Sequence, residues 1–237
     1  MKIFVLAFIL FVGSIGQSQT LTGTQVLEKA IAYHDPNGNW ATFNGGLTVV
    51  MTTPNRSPRT SRITINLPSE YFKVDATRDS ETTSYELNKG QCQMFANGTL
   101  LSEDDAKVKK MTCERGDFMK NYYTYLYGLP MKLNDPGTNI DPKVERKFFK
   151  GKDYLVLKAT YDEAVGSDAW YFYFNPETYA MEIYQFYRID DNGQPKLDTG
   201  EYILLTEETT INDIKMPKVR AWYYNKNDEY LGTDTLQ

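Results

Sequence analysis

Histidine and cysteine are nearly missing from this sequence. One histidine and two cysteines stand among 237 residues, too few ligands for most zinc, haem or iron–sulfur sites, which draw on several thiolates and imidazoles. Positive charge is also short, since 26 Lys and Arg face 31 Asp and Glu for a formal net charge of −5. A protein that binds nucleic acid through its phosphates needs a surplus of cations, so no nucleic-acid partner is expected. Beyond the N-terminus there is no apolar run long enough to span a bilayer as a helix, so no stable membrane insertion is expected. No G-x-S-x-G elbow, phosphate-cradling glycine loop or C-x-x-C spacing occurs. With 41% hydrophobic residues, the chain nevertheless has ample material for a folded core.

What is present begins with a leader. Lys2 precedes an apolar run from Ile3 to Val12, followed by the small residues Gly13, Ser14, Gly16 and Ser18. A run of that length is too short to cross a bilayer and suits the apolar region of a secretory signal peptide. Residues 1–18 are therefore expected to be removed, leaving a single domain over residues 19–237 that is periplasmic or secreted and soluble. Cys92 and Cys113 are then expected to be joined, because an oxidising compartment favours the disulfide and closing a loop of that length stabilises the fold by about 3 kcal/mol. Asn97-Gly98-Thr99 matches a glycosylation acceptor, but Asn-Gly is also a strong hairpin turn, and the turn is the preferred reading.

The mature region reads as helix, strands, helices, strands. Thr22 and Gln25 form a capping box before Val26, Leu27, Ala30, Ile31 and Tyr33, whose spacing predicts an amphipathic helix. Asp35-Pro36-Asn37-Gly38 ends it. From Trp40 to Phe95 the apolar residues alternate in short runs broken by turns. Ser102 with three following acids predicts a helix start. Asp117 to Tyr127 predicts a second helix with aromatic residues around its axis, stopped by Gly128 and Pro130. Six further strands are expected between Lys143 and Tyr224, joined by short turns that impose antiparallel pairing. The fold class is thus α+β and mainly antiparallel β. A twisted sheet of roughly ten or eleven strands curls, so a half-open barrel with two or three capping helices is expected.

Catalytic signatures are weak. His34 lies beside a turn, far from any nucleophile motif. Asp35, Asn37 and Asn39 imitate the start of a calcium loop, but Trp40 stands where the glycine is needed and Gly46 where the last carboxylate is needed. Asp190, Asn192 and Asp198 allow a looser calcium loop, although Asp-Asn-Gly is a sufficient hairpin. Many carboxylate pairs are conceivable for glycoside hydrolysis, and no signature selects one. No catalytic residue, metal or cofactor is assigned.

The order of leader, amphipathic helix, strands, helical interlude and long aromatic meander resembles the LolA/LolB-like lipoprotein-carrier superfamily. The words His34-Asp35-Pro36-Asn37-Gly38-Asn39-Trp40 and Gly116-Asp117-Phe118-Met119-Lys120-Asn121-Tyr122-Tyr123 resemble an exported family of unknown function common in Bacteroidota. The carrier resemblance implies an incomplete barrel whose hollow holds acyl chains, and a membrane-bound delivery partner. Bulky side chains on both faces of the strands add to this expectation. Trp40, Phe118, Tyr122, Tyr125, Trp170, Phe172, Tyr184, Phe186 and Trp222 are the expected lining, with Arg188 toward a head group. Two alternatives stay open: a carbohydrate-binding or surface-interaction module using the same rings as stacking platforms, and a hydrolase using paired carboxylates.

Overall fold

A computed structural model describes residues 21–237. The leader expected over residues 1–18 lies outside the described residues. Helix α1 (Gly23–His34) opens with the expected capping box, since the Thr22 hydroxyl accepts from the Gln25 amide and the Gln25 side chain accepts from the Thr22 amide. A short 3-10 turn, Asn39–Thr42, leads into β1 (Asn44–Thr53), β2 (Arg56–Asn66), β3 (Tyr71–Arg78), β4 (Glu81–Asn88), β5 (Gln91–Ala96) and β6 (Thr99–Leu100). Helices α2 (Glu103–Val108) and α3 (Cys113–Gly128) follow, then β7 (Thr138–Phe149), β8 (Lys152–Tyr161), β9 (Asp168–Phe174), β10 (Met181–Arg188), β11 (Glu201–Ile211), β12 (Ile214–Tyr224) and β13 (Tyr230–Leu236).

Among the described residues thirteen strands form one antiparallel sheet, in the order β6-β5-β4-β3-β2-β1-β13-β12-β11-β10-β9-β8-β7. Each strand pairs with its sequence neighbour except at the centre, where the last strand joins the first, Val49 opposite Leu236. The two edges, β6 and β7, do not pair with each other, so the barrel is open, and the helical segment between them runs from one edge to the other. No helix among the described residues is long and apolar enough to cross a membrane.

Tight turns set the register. Asn97 and Gly98 both adopt positive φ, the backbone twist that a two-residue hairpin demands. The Asn97 side chain accepts from the Thr82 amide at 2.8 Å and donates to Glu81, which accounts for this residue as a turn.

Two strands exceed the expected set. The two-residue β6 is too short to carry a pattern. Strand β13 contains Gly232 and Asp234, residues that disfavour a strand, yet a Cβ at Gly232 would stand 2.6 Å from the Thr52 carbonyl oxygen, and Asp234 is buried. A second difference concerns β10, where strict period-two alternation would place Met181 and Ile183 on one face. A bulge between them sends Met181 into the concave core with Tyr184, while Ile183 joins Tyr154, Val156 and Tyr173 on the convex face. Helix α3 also begins earlier than expected. Its cap is Thr112, whose hydroxyl accepts from the Arg115 amide, and Arg115 in the third position hides the usual capping-box pattern.

The main core fills most of the concave side. Val26, Leu27 and Ala30 of α1 pack with Leu157, Ala159 and Met216, while Met119, Tyr123, Leu126 and Tyr127 of α3 pack with Phe72, Val74, Tyr85 and Leu87. Cys92 of β5 and Cys113, the first residue of α3, form a disulfide with Cα atoms 5.9 Å apart. It ties the helix to the sheet near one edge.

Candidate functional site

Three polar residues weighed from the sequence, His34, Asp35 and Asp190, have structural partners. His34 is 2% exposed. Its Nδ1 lies 2.8 Å from the Lys215 carbonyl oxygen and its Nε2 accepts from the Met181 amide at 2.9 Å. That arrangement requires the neutral ring with its proton on Nδ1, and burial pulls its pKa below the ordinary value. Asp35 accepts from the Asn39 and Trp40 amides at 2.8 and 2.9 Å, so it caps the 3-10 turn. The Asp190 carboxylate likewise accepts from the Asn192 and Gln194 amides within its own turn.

A hollow of about 760 Å³ remains between α3 and the strands β8 to β12. Its walls follow from two periodicities. On α3, Phe118, Tyr122 and Tyr125 stand at positions i, i+4 and i+7 and share a face. On the sheet, Trp170, Phe186 and Trp222 point to the concave side. All six line the hollow. Phe118, Tyr122 and Trp222 make one stacked wall, with ring centroids 6.2 Å apart at each step. Tyr125, Trp170 and Phe186 make the other, the first pair edge-to-face at 5.5 Å and the second stacked at 4.9 Å. The loop between β8 and β9 covers part of the opening with Val165, which is 58% exposed, and Phe118 is 52% exposed.

Trp40, Phe172, Tyr184 and Arg188 do not line this hollow. Trp40 is buried where α3 ends, so close to Gly128 that a Cβ there would collide with the indole. Phe172 and Tyr184 are completely buried in the row behind Trp170 and Trp222. Arg188 is exposed in an adjoining cleft with Asp198, Lys226 and Glu229. Helices α1 and α3 thus fill the middle of the curved sheet, and the hollow lies toward one end.

The hollow also contains polar groups that were not singled out. The Tyr125 and Tyr161 hydroxyls are hydrogen-bonded to each other, and burial pushes the Tyr161 hydroxyl up to about 12. Lys132 and Asp135 form an ion pair at the rim. Asp168 faces Arg188 across the β9/β10 ladder, and burial raises its pKa against the pull of that arginine. Glu201 lies opposite Phe186 on one side and Tyr224 on the other. Burial alone raises its pKa, and its carboxylate makes no hydrogen bond or ion pair among the described residues. Both carboxylates were visible in the alternation, Asp168 sharing a face with Trp170 and Glu201 with Ile203. The aromatic residues simply dominated the pattern.

Behind the hollow lies a polar layer. Arg220 and Asp234 are opposite each other on β12 and β13 and both are buried. The Tyr122 hydroxyl donates to Asp234 at 3.2 Å. The Arg220 guanidinium lies 3.9 Å over the Tyr127 ring. Burial raises the Asp234 pKa, opposed by Arg220 and the Tyr122 hydrogen bond.

The family model described as a family of unknown function, DUF6503, matches residues 1–237. No curated protein matches the sequence. A LolA superfamily protein from Nitrosomonas europaea superposes with a TM-score of 0.53 at 13% identity, over 92% of each chain. A DUF1329 family protein from Desulfovibrio piger gives a TM-score of 0.47 at 7% identity, also over 92% of each chain. The first of these similarities assigns the chain a LolA-like fold.

Proposed function

The chain belongs to DUF6503, a family of unknown function, and from that premise, together with its LolA-like fold, we propose an exported, noncatalytic binding protein that holds a lipid or another apolar molecule. The observation that carries this reading is the unfilled hollow of about 760 Å³ between two aromatic walls. Its size falls within the roughly 300–1,000 Å³ of small-molecule sites. Burying an alkyl chain of about sixteen carbons at about 0.8 kcal/mol per methylene yields about 12 kcal/mol before ordering costs. No special polar chemistry is required for useful affinity. The exposed Phe118 and Val165 at the opening give an apolar guest a first contact. The disulfide supports an oxidising compartment, periplasmic or extracellular. Transfer to or from a membrane-bound partner follows if the guest is a lipid.

One feature argues against the carbohydrate alternative. The rings of the hollow face one another or meet edge to face, which leaves little flat platform for a sugar.

Native mass spectrometry of protein purified from its own host, followed by organic extraction, tests the proposal. A copurified lipid or other apolar molecule that is lost on Trp170→Ala and Trp222→Ala substitution is the expected result. Protein that emerges empty and binds glycans on an array contradicts it.

A further inference from the structure

Resting on the reading of the hollow as an apolar-ligand site, we infer that its guest carries a cationic head, an alkylammonium or quaternary ammonium group seated between the aromatic walls beside Glu201. The two walls end on either side of this residue. Phe186 is its cross-strand partner on β10, and Trp222 shares its face one row along β12, opposite Ile203. Directly opposed side chains on one face of an antiparallel sheet have Cβ atoms about 5 Å apart, so the Glu201 side chain lies beside the Phe186 ring, with the Trp222 ring on the diagonal. Rings around an acidic group recognise cations, because the negative ring face and the carboxylate attract the same charge.

The charges around the hollow agree. Lys132 is neutralised by Asp135. Arg188 faces Asp168 across the ladder, outside the hollow. Arg115 already lies over the Phe118 ring at 4.6 Å. Of the charged groups lining the hollow, Glu201 alone has neither an ion-pair partner nor a directly opposed cation among the described residues; its other side borders the adjoining cleft with Arg188 and Lys226, neither of which forms an ion pair with it. Its desolvation, seen as an upward pKa shift caused by burial, is a cost that a bound cation offsets. An anionic head would meet Glu201 and Asp168 with like charge.

The experiment is calorimetric titration of the full mature protein with three ligands of equal chain length below their micelle-forming concentrations: dodecyltrimethylammonium, dodecyl maltoside and dodecyl sulfate. The cationic ligand is expected to bind about ten-fold tighter than the neutral one, and the sulfate weakest. Glu201→Gln should remove that preference while keeping the affinity for dodecyl maltoside. Glu201→Gln takes away a desolvated charge, so the variant is expected to fold, which near-UV circular dichroism checks. Equal affinity for the three heads, preference for the sulfate, or a cation preference that survives Glu201→Gln overturns the inference and leaves the apolar-ligand proposal standing. Failure of all three to bind overturns both.

Discussion

Arg220 of β12 reaches the last turn of α3, where its Nη2 donates to the Leu126 carbonyl oxygen at 3.4 Å. Nη1 donates to the Pro217 carbonyl oxygen at 2.9 Å. A cation at a helix C-terminus satisfies a carbonyl that has no partner within the helix and opposes the negative end of its dipole. The contact fixes the C-terminal end of the helix whose other face forms a wall of the hollow.

Arg220→Met is therefore expected to destabilise the protein by about 3 kcal/mol, because it leaves Asp234 buried without its compensating charge. Adding Asp234→Asn should recover part of that loss. Urea unfolding of both variants measures it, and a loss below about 0.5 kcal/mol for Arg220→Met would remove this anchor from the account.

The pH response of His34 has a definite sign. Burial depresses its folded-state pKa, so between that value and the unfolded value of about 6.5 the unfolded chain binds more protons. Its contribution is full above that window and is lost as pH falls through it. Asp168, Glu201 and Asp234 shift upward and gain stability as pH falls, so the histidine is read by difference. The stability gap between wild type and His34→Gln should narrow from pH 7.5 to pH 5. A gap that widens contradicts the neutral-ring assignment.

The disulfide makes a separate prediction. Cys92 and Cys113 are 21 positions apart, and opening a loop of that size should cost about 3 kcal/mol. Unreduced, denatured protein should show no free thiol, and the Cys92→Ser/Cys113→Ser double variant should unfold at correspondingly lower urea. Two titratable thiols in protein recovered from its native compartment would exclude the bond there.

The aromatic α3 face offers a test of the hollow's walls. Tyr122→Ala and Tyr125→Ala remove rings from opposite walls, and each should weaken binding of a dodecyl ligand about ten-fold or more. Tyr171→Ala, on the convex face, should leave affinity unchanged. Equal effects at all three positions would place the ligand elsewhere.

Much of this architecture was legible because hairpin chemistry and period-two alternation act locally. Asn97-Gly98, the capping box at Thr22 and the rings of Ala169 to Phe174 all fold as their neighbours dictate. The remainder depended on distant partners. Gly232 and Asp234 read as strand-breaking until β1 and Arg220 stand beside them. Trp40, Phe172, Tyr184 and Trp170 look alike in sequence, yet only Trp170 reaches the hollow, because how far the helices fill the curved sheet is a property of the whole chain. The bulge at Met181 has no local signature, and it reverses a face.

The central claim is that a guest lies against Trp170 and Trp222, away from Trp40. Fluorescence quenching by an alkyl ligand brominated along its chain measures this directly, since bromine quenches only rings it approaches. Trp40→Phe protein should be quenched saturably, and Trp170→Phe/Trp222→Phe protein, with Trp40 as its reporter, should not. Saturable quenching of Trp40 alone, or of no tryptophan, would contradict the account.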